Sequence, residues 1–155
     1  FFMQNLSTVH AKIIRKTDEL LIPAGKSKTS FIDADDIGEA AAILLDSYPS
    51  EFIDQAITLT GEEALDYYQV AEIMSEILNR NIIYPKPSRR EFKKVMLKAG
   101  FKPEYVKVMA NLYFITRLGN AKRVTNTLKR ILSRNPTSFE AFVEREKATW
   151  KKYSI

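Results

Sequence analysis

The sequence predicts an α/β fold in which a few short strands and helices occupy residues 1–84 and a mainly helical region fills residues 85–155. Three observations carry this. A helical apolar stripe lies between strand candidates around Phe31 and Ile57, and such alternation marks α/β proteins. Beyond Tyr84 every apolar pattern repeats at helical spacing. The strands are too few for a sheet of ordinary size, so the sheet reads as one cut short.

Taken in order, Leu20-Leu21-Ile22 and Ser30-Phe31-Ile32 are short apolar runs flanking Pro23-Ala24-Gly25-Lys26-Ser27-Lys28, the pattern of two strands around a Gly-containing turn. Asp33 can cap the helix that follows, and Asp36 adds negative charge at its start. Ile37, Ala40, Ala41, Leu44, Leu45 and Tyr48 form the apolar stripe, and Pro49 stops the helix. The run from Ala56 to Thr60 is a strand candidate ended by Gly61. Asp66 and Gln69 have capping-box spacing ahead of Val70, Ile73, Met74, Ile77 and Leu78, which predicts a helix over 66–79. Ile82-Ile83-Tyr84 is a short strand before Pro85 and Pro87.

Helices account for the remainder. Ser88 and Glu91 form a second capping box, Phe92, Val95, Met96 and Ala99 face inward, and Gly100 supplies the stop. The next helix opens at Pro103, closes near Gly119 and carries Tyr105, Val108, Met109, Leu112, Ile115 and Leu118. A shorter one holds Val124, Leu128, Ile131 and Leu132. Thr137 and Glu140 start the last, with Phe139, Phe142, Val143 and Trp150 on its buried side.

Bulk properties narrow the function. A chain of 155 residues with 45% apolar content forms one domain with a core of its own. Cysteine is absent, which excludes disulfides and cysteine-based metal sites and suits a cytoplasmic protein. No apolar run approaches the ~20 residues that span a bilayer, so no membrane partner is expected. The net charge of +5 hides an asymmetry: residues 1–79 hold 5 Lys/Arg against 14 Asp/Glu, and residues 80–155 hold 19 against 5. No nucleic-acid motif accompanies the basic half, so it reads as solvated helix faces packed near the acidic half.

Four blocks carry a resemblance. Pro23-Ala24-Gly25 followed by Ser30-Phe31-Ile32-Asp33-Ala34-Asp35-Asp36 and an alanine-rich helix is the first. Thr58-Leu59-Thr60-Gly61 leading to Asp66-Tyr67 and Val70-Ala71-Glu72-Ile73 is the second. Asn79-Arg80-Asn81-Ile82-Ile83-Tyr84 and Arg134-Asn135-Pro136-Thr137-Ser138-Phe139 before Trp150 complete the series. In this order they resemble the NmrA-like family, atypical short-chain dehydrogenase/reductase relatives. Asp35 stands where that family often carries a basic residue.

The resemblance implies the C-terminal, substrate-side portion of a Rossmann-like NAD(P)-binding fold, with the N-terminal dinucleotide-binding half absent. It implies NADP or NAD in the full-length parent and none in this chain alone. The parent is then a small-molecule oxidoreductase or redox sensor, and the isolated chain is inactive. The five glycines are dispersed with no G-x-G-x-x-G, and no tyrosine has a lysine four residues on, so neither the phosphate-binding turn nor the superfamily's proton-donor pair is present.

Phe1, Phe2, Met3 and Asn5 resemble the family segment that lines the nicotinamide and substrate cleft, an aromatic wall with one amide suiting a planar ring. They are the candidate cofactor-facing residues of the parent. No catalytic residue and no metal ligand is assigned: Asp33, Asp35 and Asp36 read as capping and helix-start charge, and His10 as a surface residue. Lys26 and Lys28 read as a solvated turn. Two alternatives remain: a protein-interaction or homo-oligomerising module using an exposed sheet edge, and, ranked last, a nucleic-acid-associated regulator using the basic half.

Overall fold

Helices dominate the computed structural model, which describes residues 1–47 and 50–152. Strands β1 (Thr29–Ser30) and β2 (Ala64–Leu65) pair antiparallel, with Thr29 opposite Leu65 and Ser30 opposite Ala64. Two isolated parallel bridges extend the pairing, Phe2 with Ile32 and Glu19 with Ile83. The fold is thus α/β with few strands and many helices, as its sequence predicts.

The strand assignments need correction in detail. Residues 20–22 and 30–32 do not form a hairpin. The first run follows Ile83 instead, through Leu20 N–H to Ile83 O at 2.9 Å and Ile83 N–H to Asp18 O at 2.9 Å. The second turns to the chain start, where Ile32 N–H donates to Phe1 O and Met3 N–H to Ile32 O. The run from Ala56 to Thr60 makes no ladder. Thr125 takes the place of a partner strand there: its Oγ1 donates to Thr58 O and its N–H to Thr60 Oγ1. Gly61 then passes so close to Phe31 that a β-carbon would sit 1.7 Å from its carbonyl oxygen, a contact only glycine permits.

The helices are α1 (Gln4–Ser7), α2 (Ala11–Thr17), α3 (Ala34–Ser47), α4 (Tyr67–Leu78), α5 (Arg89–Lys98), α6 (Pro103–Arg117), α7 (Thr127–Leu132) and α8 (Phe139–Glu146), the last running into a 3₁₀ turn over Lys147–Trp150. Both predicted capping boxes close, Asp66 with Gln69 on α4 and Ser88 with Glu91 on α5. Gly100 ends α5 at φ +95. On α8 the cap is Ser138 rather than Thr137, because Thr137 is drawn to Asp36. The expected stop of α3 at Tyr48 and Pro49 falls outside the described residues.

The main core gathers α1, α2, α4, α5, α6 and α8 around Leu20, Ile22 and Phe31. Trp150 is fully buried in it, and its indole N–H donates to Leu6 O at 3.0 Å. A second cluster joins α3 to α7 through Ile32, Ala40, Leu128, Ile131 and Leu132. Helix α6 departs from the expected orientation. It buries Val106, Met109, Ala110, Tyr113 and Thr116, and leaves Tyr105, Val108, Leu112, Ile115 and Leu118 exposed. The helix is apolar on two faces, and the inward one carries the small Ala110 and Tyr113, whose hydroxyl lies 2.6 Å from His10 Nε2.

Candidate functional site

The chain start runs extended alongside Ile32, and the ladder bonds above fix its path. Gln4, first residue of α1, locks the segment a second time. Its amide nitrogen donates to Asp33 Oδ1 at 2.6 Å while its amide oxygen accepts from Ala34 N–H at 3.0 Å. One side chain thereby satisfies a helix-start donor of α3 and a buried carboxylate together.

The four candidate residues then differ in setting, Phe1 and Phe2 on the extended start, Met3 in helical geometry at the N-cap of α1 and Asn5 within that helix. Phe2 is 52% exposed and presents its ring outward. Met3 is 2% exposed and packs into the core, reaching only a crevice of ≈ 10 Å³ beside Phe31 and Phe139. Phe1 is half-buried and stacks on Tyr113 with ring centroids 6.0 Å apart. Asn5 is half-buried on the first turn of α1, and its side-chain amide has no hydrogen-bond partner among the described residues. Phe2 is therefore the most exposed of the four, Phe1 and Asn5 are partly accessible, and Met3 belongs to the core.

Asp33 and Asp36 are both buried, and each carboxylate is held by an arginine from the C-terminal region. Arg145 reaches Asp33 Oδ2 at 2.8 Å and Asp35 at 3.3 Å. Asp33 also accepts from Asp35 N–H at 2.9 Å, the cap interaction expected from sequence. Asp36 accepts from Arg134 at 2.8 Å, from Thr137 N–H at 2.6 Å and from Thr137 Oγ1 at 3.0 Å. Its part is to anchor the segment before α8, beyond placing charge at the start of α3. The acceptor capacity of both groups is thus taken up by protein donors. Among the described residues no group of three His, Asp or Glu could hold a metal ion.

His10 is not at the surface. It is 2% exposed, packed against Phe92, and its Nε2 lies 2.6 Å from the Tyr113 hydroxyl. Burial pushes its pKa down to about 4, so the ring is neutral at pH 7, and burial raises the Tyr113 phenol. Its sequence neighbours show no polar partner because the partner is 103 residues away. Lys26 and Lys28 are exposed in their turn, as expected, and Gly25 adopts φ +70 beneath the Arg117 side chain. No helix among the described residues is long and apolar enough to cross a membrane.

Residues 1–143 match the family model described as NmrA-like family. The chain is 34% identical over 155 residues to the uncharacterized oxidoreductase YesF of Bacillus subtilis, covering 99% of this chain and 53% of the relative. It is 30% identical over 150 residues to the NAD(P)H azoreductase of Xenophilus azovorans, covering 97% and 51%. The chain therefore spans about half the length of the curated relatives it matches. Among solved structures it superposes on the Citrobacter triphenylmethane reductase complexed with NADP(H) with a TM-score of 0.85 at 16% identity, over 94% of this chain and 50% of that one. It superposes on an NADPH-dependent quinone oxidoreductase of Escherichia coli with a TM-score of 0.79 at 17% identity, over 94% and 52%. These likenesses show the fold, shared with about half of each Rossmann-like reductase chain.

Proposed function

Because the chain belongs to the NmrA-like family, we propose that it is the substrate-side portion of an NAD(P)H-dependent small-molecule oxidoreductase or redox sensor. The observation that supports this reading is the family match over residues 1–143, together with a chain start locked twice, by the Ile32 ladder and by Gln4, that leaves Phe2 exposed and Phe1 and Asn5 partly accessible. The functions of the azoreductase and of the two reductase structures support it.

A nicotinamide cofactor, when bound, supplies a hydride. This chain's residues are proposed to shape the surface against which the ring lies. Phe2 and Phe1 offer apolar faces that exclude water from a planar ring. The Asn5 amide offers one donor and one acceptor to a polar ring substituent. Met3 and Gln4 keep the segment from yielding, which preserves orientation, and orientation contributes a large share of catalytic advantage. No proton donor is assigned among these residues.

The isolated chain is proposed to have no dehydrogenase activity and to bind NADPH weakly or not at all, since it carries no glycine-rich phosphate turn. Two measurements test the reading. Sequencing the encoding locus upstream of the Phe1 codon should show an in-frame stretch of roughly 120–150 codons containing a glycine-rich strand-to-helix turn, the element that binds the pyrophosphate. Isothermal titration of this chain with NADPH should show no stoichiometric binding. A nearby start codon with no such stretch, or clear one-to-one binding by this chain, would sink the proposal.

A further inference from the structure

Away from the chain start, α2 and α5 enclose an open groove of ≈ 490 Å³. Its floor is apolar, formed by Ile13, Leu21 and Val95, and its rim carries Lys12 and Lys16 from α2 and Lys98 from the last turn of α5. The volume is within the range of small-molecule sites, ~300–1,000 Å³.

The charge here is unexpected on structural grounds alone. Residues 1–79 carry only 5 basic residues, yet Lys12, Arg15 and Lys16 all fall within α2. Lys12 and Lys16 stand four residues apart on a seven-residue helix without an acidic residue in its first turn, and like charges at that spacing destabilise a helix. Lys12, Lys16 and Lys98 form no ion pair or side-chain hydrogen bond among the described residues. Elsewhere in the same acidic half, Asp18, Asp33, Asp36 and Glu39 are all paired. Glu19 also lines the groove, so three ammonium groups face one carboxylate. An apolar floor with a positive rim is complementary to an anion that has an apolar body. Thr17 is the one uncharged polar residue of the lining, and its hydroxyl already donates to Ile13 O at 3.0 Å.

We propose that this groove binds a free amphiphilic carboxylate, its alkyl body on Ile13, Leu21 and Val95 and its head group between Lys12, Lys16 and Lys98. The site is separate from the Phe1–Asn5 surface and does not depend on the oxidoreductase reading. Laurate, used below its micellar concentration and followed by isothermal titration, should bind this chain with a dissociation constant below about 1 mM, the range expected of a ligand of this size. Dodecanol and dodecyltrimethylammonium should bind at least tenfold more weakly. Lys12→Gln/Lys16→Gln/Lys98→Gln should weaken laurate at least tenfold with an unchanged thermal melt, and Lys98→Gln alone severalfold. Raising sodium chloride from about 0.05 to about 0.5 M should also weaken it, since exposed charges are screened. Equal binding of laurate by the triple variant, equal binding of the cationic amphiphile, or association only with anionic lipid vesicles and not with free laurate would each overturn the proposal.

Discussion

His10 shows how one side chain can be missed by sequence and matter to stability. Its folded pKa of about 4 lies below the ordinary value of 6.5, so the unfolded chain binds the extra proton between those two values. Stability contributed by the neutral ring is therefore full above pH 6.5 and is lost as pH falls through the folded value. The size is on the order of 3 kcal/mol, since each tenfold difference in proton affinity between the folded and unfolded chain is worth about 1.4 kcal/mol. Urea unfolding from pH 7.5 to pH 4 should show this decline, and His10→Gln should flatten the part between pH 6.5 and 5, where few carboxylates titrate. An identical decline in the variant would assign the pH dependence to other groups. The burial of Met3 was hidden for a related reason: it follows from the bond to Ile32, a partner 29 residues on that periodicity in the first five residues cannot reveal, while Phe2 stays exposed beside it.

Helices whose ends are written in side chains were readable as elements. The two capping boxes place the starts of α4 and α5 within local sequence, and Gly100 places a stop. Strands were less so, because pairing is decided at a distance: residues 56–60 have a strand's composition, yet it is Thr125 that bonds Thr58 O and the Thr60 hydroxyl there. Helix α6 fails for a different reason, having two apolar faces and only one core to meet. The structure assigns the inner face to Ala110, fully buried, and the outer one to Leu112, 44% exposed. Ala110→Leu should then cost about 1–3 kcal/mol by overpacking. Leu112→Lys should change stability by no more than about 0.5 kcal/mol, as an exposed substitution does. Thermal and urea melts of both variants decide it, and the opposite ranking would mean that α6 is turned the other way.

At the scale of the molecule, the charge asymmetry becomes an internal device. Ion pairs cross from the acidic first half to the basic second: Arg80 and Lys152 to Asp18, Arg130 to Glu51, Arg134 to Asp36 and Glu39, and Arg145 to Asp33 and Asp35. They differ in worth according to what they leave behind. Arg130 and Glu51 are both more than half exposed, and such a pair contributes ~0–1 kcal/mol. Asp33 and Asp36 have almost no exposure, so removing their arginines strands charge inside the protein. The loss is moderated because both arginines are partly solvated and because Gln4 and Thr137 still donate to the two carboxylates. Arg134→Gln and Arg145→Gln should each cost about 1–3 kcal/mol, a discount on the roughly 3–5 kcal/mol of a fully buried broken pair. Arg130→Gln should cost less than about 0.5 kcal/mol. The Arg145 variant carries a second expectation, because Asp33 also holds Gln4. Hydrogen exchange at Met3 and Ile32, the amides of the chain-start ladder, should accelerate in Arg145→Gln more than in Arg134→Gln when the two are matched for global stability. Equal acceleration would mean that α8 steadies the Phe1–Asn5 surface only through overall stability, whereas the ordered result would show that a helix near the end of the chain sets the rigidity of the surface at its start through one buried carboxylate.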